Sequence, residues 1–247
     1  MGSFSGKVVC VTGADGGIGK EIVKRFAEEG AEIITCSLCQ TPEFDSFIKE
    51  VEKEWGTLFH PFYFDFTDED AIKEGLKGIK ALKLKISVLI NNAGMPHLAI
   101  LPFTRMSDAK KVFQVNYFAQ LQITQSLLSI IVKDGSGSII NAASIAGIDG
   151  DMGNSVYGAT KASMILFTKV LSKELAASKI RVNAVAPGLT DTGFAKAMGE
   201  KAIASMESIS SMHRLATPEE ISRVYYFLAS EEASFINGQV VRVDGGV

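Results

Sequence analysis

The stretch VVCVTGADGGIG, residues 8–19, joins a short apolar, β-branched run to a glycine-rich turn. Such a run is typical of a buried β-strand, and the amphipathic pattern at 17–29 predicts a helix. Four glycines with the spacing GxxxGxG lie between the two: Gly13, Gly16, Gly17 and Gly19. Because these positions lack side chains, backbone N–H groups and the helix N-terminus can approach a diphosphate. A tight turn without a ligand would give the same pattern, so this motif alone is weak evidence.

The alternation of strand and helix continues along the chain. Further apolar runs predict strands at 32–37, 59–65, 87–91, 138–143, 180–186 and 239–244. Helical patterns are clearest at 68–82, 107–132, 155–178 and 218–229, the last beginning with a capping box at Thr217 and Glu220. This order predicts an α/β fold, a doubly wound parallel β-sheet (Rossmann fold) of about seven strands with helices on both faces. No repeat or linker interrupts the pattern, so we expect residues 1–247 to form a single domain.

The composition excludes several classes of function. The 247 residues carry a formal net charge of -3, which offers no basic surface for nucleic acid or an anionic membrane. No apolar run is long enough to span a bilayer, and the N-terminus lacks the layout of a signal peptide. Three cysteines without a framework spacing fit a reducing compartment, so we expect a cytoplasmic protein.

Cys36 and Cys39 form a CxxC pair at the end of the second predicted strand. A zinc site would need a second pair of ligands, and a redox pair usually opens a helix. Neither feature accompanies this pair, so we expect no metal site.

Small and polar residues follow several predicted strands at the point where each strand ends. They are TGADGGIG after the first strand, Asp65 after the third, NNAG at 91–94, Ser144, and PGLTDT at 187–192. Ligands of open parallel sheets bind outside the carboxyl ends of the strands. The sequence therefore predicts one binding site along this edge of the sheet.

Tyr157 and Lys161 stand four residues apart in the segment YGATK. On a helix, positions i and i+4 share a face, so the ammonium can lie near the phenol. A nearby cation lowers the pKa of a phenol and brings proton exchange closer to neutral pH, as a general acid or base requires. An ordinary surface pair has the same spacing, but the polar sheet edge beside it favours the catalytic interpretation.

Together the motifs resemble the short-chain dehydrogenase/reductase family of the single-domain type. Over nearly the whole chain they follow the family's order: TGADGGIG at 12–19, NNAG at 91–94, Asn116 in VNYFA, Ser144 in AASIAG, YGATK at 157–161, PG at 187–188 and the closing INGQVVRVDGG. The pattern is most similar to bacterial 3-oxoacyl-carrier-protein reductases and related oxidoreductases of β-oxo compounds or secondary alcohols.

The resemblance implies an NAD(P)-dependent oxidoreductase that transfers a hydride between nicotinamide and a ketone or secondary alcohol, such as a 3-oxoacyl compound. Tyr157 would be the general acid in reduction and the base in oxidation. Lys161 would bond the nicotinamide ribose and, with the charge of the oxidised cofactor, lower the pKa of the phenol. Ser144 would hydrogen-bond the substrate oxygen. Asn116 would hold a water that links Lys161 to solvent, although a solvent-facing helix residue is the alternative.

The resemblance also implies the cofactor contacts. The glycine turn would hold the diphosphate, the NNAG loop would lie beside the adenosine and ribose, and Asp65 would meet the adenine, although an Asp that ends a strand is more often a turn residue. The expected contacts are Gly13, Asp15, Gly16, Gly17, Ile18, Gly19, Ser37, Asp65, Phe66, Asn92, Ala93, Gly94, Tyr157, Lys161, Pro187, Gly188, Thr190 and Thr192.

The choice between NAD and NADP depends on the end of the second strand. NAD sites usually have an Asp or Glu there, and NADP sites use a basic residue. Residues 35–38 are Thr-Cys-Ser-Leu and carry neither charge. Ser37 could bond either cofactor, whereas Asp15 would repel a phosphate if it pointed that way. Because the usual acid is missing, we expect a slight preference for NADP(H) over NAD(H).

The segment 189–216 has a weak helical pattern and many small residues, as expected of a substrate lid. Its large apolar side chains could line a pocket or simply pack the lid: Phe194, Met198, Met206 and Met212. His97, just after NNAG, could touch substrate, but a loop histidine is more often only exposed. The arginines by which relatives meet an acyl-carrier protein have no counterpart at Gly135 and Ser178. Lys133 and Lys179 are close in sequence and could substitute, but lysine lacks the fork of arginine, which argues against a carrier-protein substrate.

Oligomers are usual in the family, commonly tetramers built on the helices that match 107–132 and 155–178. The second of these has an apolar surface wider than one core-facing stripe requires, so we expect a homotetramer, although a buried helix in a monomer has the same pattern. The alternative function is a non-catalytic dinucleotide-binding sensor or scaffold. Such a protein would be expected to lose Tyr157 or Lys161.

Overall fold

The computed structural model describes residues 2–133, 136–193, 195 and 200–247. Within these residues one sheet contains seven strands: β1 Val8–Thr12, β2 Glu32–Ser37, β3 Phe59–Tyr63, β4 Ile86–Asn91, β5 Ser138–Ala142, β6 Arg181–Pro187 and β7 Val240–Val243. The strand order is β3-β2-β1-β4-β5-β6-β7, and all neighbours pair in parallel. The order reverses between β1 and β4, where doubly wound sheets bind their ligands.

Helices cover both faces of this sheet. They are α1 Gly17–Glu28, α2 Pro42–Trp55, α3 Glu69–Ala81, α4 Met106–Phe113, α5 Ala119–Leu127, α6 Ser155–Glu174, α7 Glu200–Ile209 and α8 Pro218–Ala229. A π-helical turn, Gln114–Phe118, joins α4 to α5. No helix in the described part of the chain is long and apolar enough to cross a membrane.

The two faces hold separate apolar cores because side chains alternate along a strand. Val9 and Val11 of β1 pack with residues of α1, α2 and α8, whereas Val8 and Cys10 pack with residues of α3, α5 and α6. All five residues of β1 are buried. Burial on both faces explains the unbroken apolar runs of the sequence, and the predicted fold class is confirmed.

Two segments differ from the sequence prediction. Helix α2 was not predicted, although Thr41 caps it by accepting a hydrogen bond from the Phe44 N–H at 3.2 Å and Pro42 occupies its first turn. The predicted helix at 107–132 is broken by the π-helical turn and ends earlier, at Leu127, before a 3-10 turn. The capping box at the start of α8 is confirmed, since Thr217 and Glu220 bond each other's backbone N–H groups.

Candidate active site

Two adjoining cavities lie at the carboxyl edge of the sheet. The glycine-turn cavity, about 590 Å³, is bounded by the loop after β1 and by residues that follow β2, β3 and β4. The tyrosine cavity, about 260 Å³, is bounded by residues that follow β4, β5 and β6 and by α6. Both are lined by Ile18, Asn92, Gly94, Met95 and Thr192. An elongated ligand with two chemically different ends would suit this pair of cavities.

Most of the expected site residues line these cavities. Around the glycine-turn cavity lie Gly13, Asp15, Gly16, Gly17, Ile18, Gly19, Asp65, Phe66, Asn92, Ala93, Gly94 and Thr192. Around the tyrosine cavity lie Ser144, Tyr157, Lys161, Pro187, Gly188 and Thr190, with Ile18, Asn92, Gly94 and Thr192. The residues quoted from separate loops of the sequence therefore meet at one edge of the sheet.

In the glycine turn, backbone segments approach each other so closely that a side chain would not fit between them. At Gly13, φ is +63°, and a Cβ there would lie 2.7 Å from the Cα of Ala93. A Cβ on Gly19 would collide with the carbonyl oxygen of Gly13. Helix α1 begins after Gly16 without a side-chain cap and has no acid in its first turn. Its free N–H groups and dipole favour an anion such as a diphosphate, so the residues present fit a dinucleotide.

Hydrogen bonds from β1 fix the loop that separates the two cavities. The Thr12 hydroxyl accepts from the N–H groups of Asn92 and Ala93, both at 2.9 Å. The Asn92 side chain donates to the carbonyls of Thr12 and Gly13, at 3.2 and 3.1 Å. The loop after β4 and the glycine turn therefore hold a fixed position relative to each other.

Gln120 reinforces the same loop, and the sequence analysis did not identify it. Its side chain is 1% exposed. It accepts from the Thr12 hydroxyl at 3.1 Å and donates to the carbonyls of Ala93 and Val115, at 3.3 and 3.1 Å. Gln120 therefore ties β1, the loop after β4 and the π-helical turn together. The one signal in the sequence is a long polar side chain in the middle of an apolar helix face.

Asn116 lies in the π-helical turn and is 1% exposed. Its side chain accepts from the Met95 N–H at 2.8 Å and donates to the Met95 carbonyl at 3.0 Å and the Thr160 hydroxyl at 3.1 Å. It lines neither cavity, but a Cβ on Gly94 would lie 3.4 Å from both its Oδ1 and the Nζ of Lys161. Asn116 is thus a neighbour of Lys161 beneath Gly94, not a solvent-facing residue. The water-relay role stays a prediction.

Tyr157 and Lys161 share one face of α6, as their spacing predicts. The Lys161 side chain is 4% exposed, and its Nζ lies 5.7 Å from the centre of the Tyr157 ring. It donates to the Ala142 carbonyl at 2.9 Å. Ser144 begins the 3-10 turn Ile145–Gly147, and its hydroxyl accepts from the Ala146 N–H at 3.2 Å. The end of β5 therefore supplies anchors for both Lys161 and Ser144.

Burial shifts the pKa values of this pair. It raises the pKa of the Tyr157 phenol, and the Ser144 hydroxyl opposes that shift as a hydrogen-bond partner. Burial lowers the pKa of Lys161 to about 8. Within the protein chain alone, the phenol therefore keeps its proton at pH 7, as a general acid requires, and Lys161 remains largely charged.

Two expected contacts are placed differently from the rest. Ser37 is fully buried, and its hydroxyl has no hydrogen-bond partner; the next residue, Leu38, lines the glycine-turn cavity instead. Asp65 lines that cavity but also forms a turn, because its Oδ1 accepts from the N–H and hydroxyl of Thr67, at 2.7 and 2.8 Å. These bonds lower the pKa of the Asp65 carboxyl.

The segment 189–216 is only partly described. Thr190 pairs with Ala216 in an isolated bridge, and α7 lies between them. Phe194, Met198 and the side chain of Met206 fall outside the described residues, while Met212 is 61% exposed and lines neither cavity. Its function as a substrate lid stays a prediction.

The two cysteines of the CxxC pair differ in their exposure to solvent. Cys36 is buried in β2, Cys39 is exposed, and both thiols are free. Among the described residues no group of three or more His, Cys, Asp and Glu side chains is placed to hold a metal ion.

Known proteins share this chain's sequence and fold. Residues 13–247 match the family model described as enoyl-(acyl carrier protein) reductase. The chain is 40% identical over 244 residues to a 3-oxoacyl-(acyl-carrier-protein) reductase of Thermotoga maritima, a match that covers 99% of this chain and 98% of that relative.

Solved structures agree with this family. A short-chain dehydrogenase/reductase from Serratia marcescens superposes with a TM-score of 0.92 at 26% identity, covering 99% of this chain and 98% of that one. L-sorbose reductase from Gluconobacter frateurii, solved with NADPH and L-sorbose, gives a TM-score of 0.90 at 26% identity, covering 99% and 97%. The chain therefore belongs to the short-chain dehydrogenase/reductase family, and it is an oxidoreductase that acts on CH–OH and C=O groups with NAD(P).

Proposed function

We propose that the protein reduces 3-oxo compounds with NAD(P)H and that Tyr157 is its general acid and base. The observation that carries the proposal is the meeting of Ser144, Tyr157 and Lys161 in the tyrosine cavity, next to a glycine turn that fits a diphosphate. The substrate class follows the 40% identical relative, which is named for its reduction of a 3-oxoacyl group.

Each side chain has a defined task in this proposal. The Ser144 hydroxyl hydrogen-bonds the carbonyl oxygen of the substrate and orients it. Tyr157 gives its proton to that oxygen during reduction and takes it back during oxidation. The Lys161 ammonium, 5.7 Å from the centre of the Tyr157 ring, stabilises the phenolate that this transfer leaves. Asn116 holds a water that reconnects Lys161 to solvent.

The cofactor would lie across both cavities. The N-terminus of α1 would hold its diphosphate, and Lys161 would bond the ribose of its nicotinamide half. Pro187, Gly188 and Thr192 would contact the nicotinamide end. When bound, the nicotinamide ring supplies the hydride in reduction and accepts it in oxidation.

Tyr157→Phe tests the proposal directly. We expect turnover of a 3-oxobutanoyl thioester to fall at least about 100-fold because the acid is removed. Titration of nicotinamide fluorescence should give an unchanged dissociation constant for the cofactor. Tyr226→Phe serves as the matched control, because the Tyr226 hydroxyl contacts the Ser3 hydroxyl and Tyr226 lines neither cavity. Retained turnover in Tyr157→Phe would contradict the assignment, and a wild-type protein that binds cofactor without turnover would favour the sensor or scaffold.

We further propose a slight preference for NADP(H). Its support is the absence of a carboxylate at the end of β2, where Ser37 is buried and Leu38 lines the cavity. Asp15 acts in the opposite direction, because it lines the same cavity and its negative charge would repel a 2′-phosphate. Titration with NADPH and then NADH should give the tighter binding for NADPH.

We also propose a homotetramer in the cytoplasm. Leu166 and Val170 remain 63% and 44% exposed on α6, next to Phe118 at 50%, so an apolar face is left for a second copy of the chain. Light scattering should give a mass near four chains of 26.5 kDa. A monomer would refute the assembly. The free, unpaired thiols of Cys10, Cys36 and Cys39 fit a reducing compartment.

A further inference from the structure

We propose that His97 recognises the second oxygen of the substrate, the thioester or carboxyl carbonyl that stands beside the reacting ketone. It would thereby distinguish a 3-oxo compound from a simple ketone. The inference rests on the proposed function and adds a specificity-determining residue to it.

His97 is a polar wall residue without a partner. It lines the tyrosine cavity together with Ser144 and Tyr157. Its Nδ1 is shielded from solvent and has no hydrogen-bond partner among the described residues. A shielded polar atom without a partner costs free energy, which a bound substrate can recover. The ring is therefore available to a ligand.

The loop that carries His97 is held on both sides. Before it, the Asn116 side chain bonds the N–H and the carbonyl of Met95, at 2.8 and 3.0 Å. After it, the Ala99 N–H donates to the Gly153 carbonyl at 3.0 Å. Pro96 restricts the chain between these anchors. The backbone that carries the imidazole therefore has little freedom to lose when a substrate binds, which favours a specific contact.

The chemistry of the cavity selects an acceptor oxygen as the partner. Ser144 and Tyr157 take the reacting oxygen, and much of the remaining wall is apolar, from Met95, Leu98, Ile145 and Leu189. A neutral imidazole has one N–H to donate, and a thioester or carboxyl carbonyl can only accept. Asp151 also lines the wall, but its carboxylate cannot donate to a carbonyl. A simple ketone has no second oxygen and would leave His97 unpaired.

Asn154 is a competing donor, since it also lines the cavity. It differs from His97 in its position at the start of α6, where its backbone carbonyl accepts from the Gly158 N–H at 2.7 Å. Substituting each residue separately distinguishes the two donors.

The test compares two substrates at saturating NADPH or NADH: the acetoacetyl thioester of N-acetylcysteamine and pentan-2-one. We expect His97→Leu to lower kcat/KM for the thioester about 10- to 100-fold, chiefly through KM, and to change that for pentan-2-one less than about twofold. His97→Gln keeps an N–H donor and should recover part of the loss. Asn154→Ala and Leu98→Ala are the matched controls. Neither should change the ratio of kcat/KM for the thioester to kcat/KM for pentan-2-one more than about threefold.

Three results would overturn the assignment of His97. They are an equal loss for both substrates in His97→Leu, no loss for either, and a thioester-selective loss in Asn154→Ala instead. None of these three results would contradict the role of Tyr157, because the wild-type protein would still turn over a carbonyl substrate. A wild-type protein that reduces neither compound would overturn the proposed function and this inference with it.

Discussion

The two cavities are built in different ways. Around the glycine-turn cavity a large part of the wall is backbone, brought close where a Cβ would clash and tied by the Thr12, Asn92 and Gln120 hydrogen bonds. Around the tyrosine cavity most of the wall residues carry side chains, and one of them, His97, has an unpaired ring nitrogen. A backbone wall admits one shape of ligand, whereas side chains can be exchanged without rebuilding the loops. The comparison indicates that cofactor binding is set by the fold and substrate choice by individual residues.

Gly19→Ala is the strongest way to break the backbone wall. Its new Cβ would meet the Gly13 carbonyl, so we expect a stability loss of about 1–3 kcal/mol and cofactor binding too weak to measure. Gly16→Ala is the matched control for stability alone, because a Cβ there has Gly13 O at 3.5 Å as its nearest neighbour and the folded chain should tolerate it. Urea denaturation measures the stability of both variants, and cofactor titration measures binding to Gly19→Ala. An equal loss of stability in the two variants would show that the close approach of Gly19 to Gly13 is not what the turn requires.

Gln120→Met tests whether side-chain bonds support that wall. The thioether has similar length but leaves Thr12, Ala93 and Val115 without their partner, so we expect a loss of about 2–4 kcal/mol in the free energy of unfolding. The dissociation constant for the cofactor should rise about tenfold, since the loop that it contacts is released. Gln122→Met, on the same helix but only half-buried and bonded to the Glu69 carbonyl, is the control. Stability loss without weaker cofactor binding would limit Gln120 to a structural role.

The buried Lys161 lowers the free energy of unfolding by an amount that depends on pH. Its pKa falls from 10.5 to about 8, so the unfolded chain binds the proton more tightly than the folded one. The cost is complete below pH 8 and is relieved as the pH rises from about 8 to 10.5. We expect Lys161→Met to be more stable than wild type by about 1–3 kcal/mol at pH 7, a difference that shrinks by pH 10. Lys169→Met, exposed on the same helix, should show no such dependence in urea denaturation.

Asp15→Asn should have the smallest effect and sharpens the comparison at the cofactor end. Removing a negative charge that faces the glycine-turn cavity should favour the 2′-phosphate, so we expect the ratio of the NADH to the NADPH dissociation constant to rise about 3- to 10-fold. Asp108→Asn, whose carboxylate pairs with Arg105 on an exposed surface, is the control. An unchanged ratio would mean that Asp15 does not contact the ribose end.

The sequence was sufficient to predict the centre of the sheet because β1, β4 and β5, buried on both faces, are apolar runs. Helix α2 was missed although its signals are local: Thr41 caps it, Pro42 stands in its first turn, and Phe44, Ile48 and Val51 form its buried stripe. The π-helical turn could not be predicted, since one inserted residue hardly changes an apolar pattern.

At the site, motif residues were easier to predict than their surroundings. Glycines, Tyr157 and Lys161 belong to short local patterns, whereas Gln120 acts through residues far away in the sequence. Ser37 shows a further limit. Ser37 is the buried last residue of β2, whereas Leu38 follows the strand and lines the cavity. Which of the two neighbours reaches the cavity depends on where the strand ends, and a sequence pattern does not fix that boundary to one residue.

The π-helical turn makes this region more sensitive to chain length than to composition. Removing one residue from 114–118 would restore ordinary α-helical bonding and rotate α4 against α5 by about 100°. Helix α5 is fixed by its buried residues Ala119, Ile123 and Leu127, so the chain on its N-terminal side would have to rotate. That part of the chain includes Asn116, whose side chain holds the backbone of Met95. A single deletion would therefore detach the loop that carries His97, although every side chain of the site would still be present in the sequence.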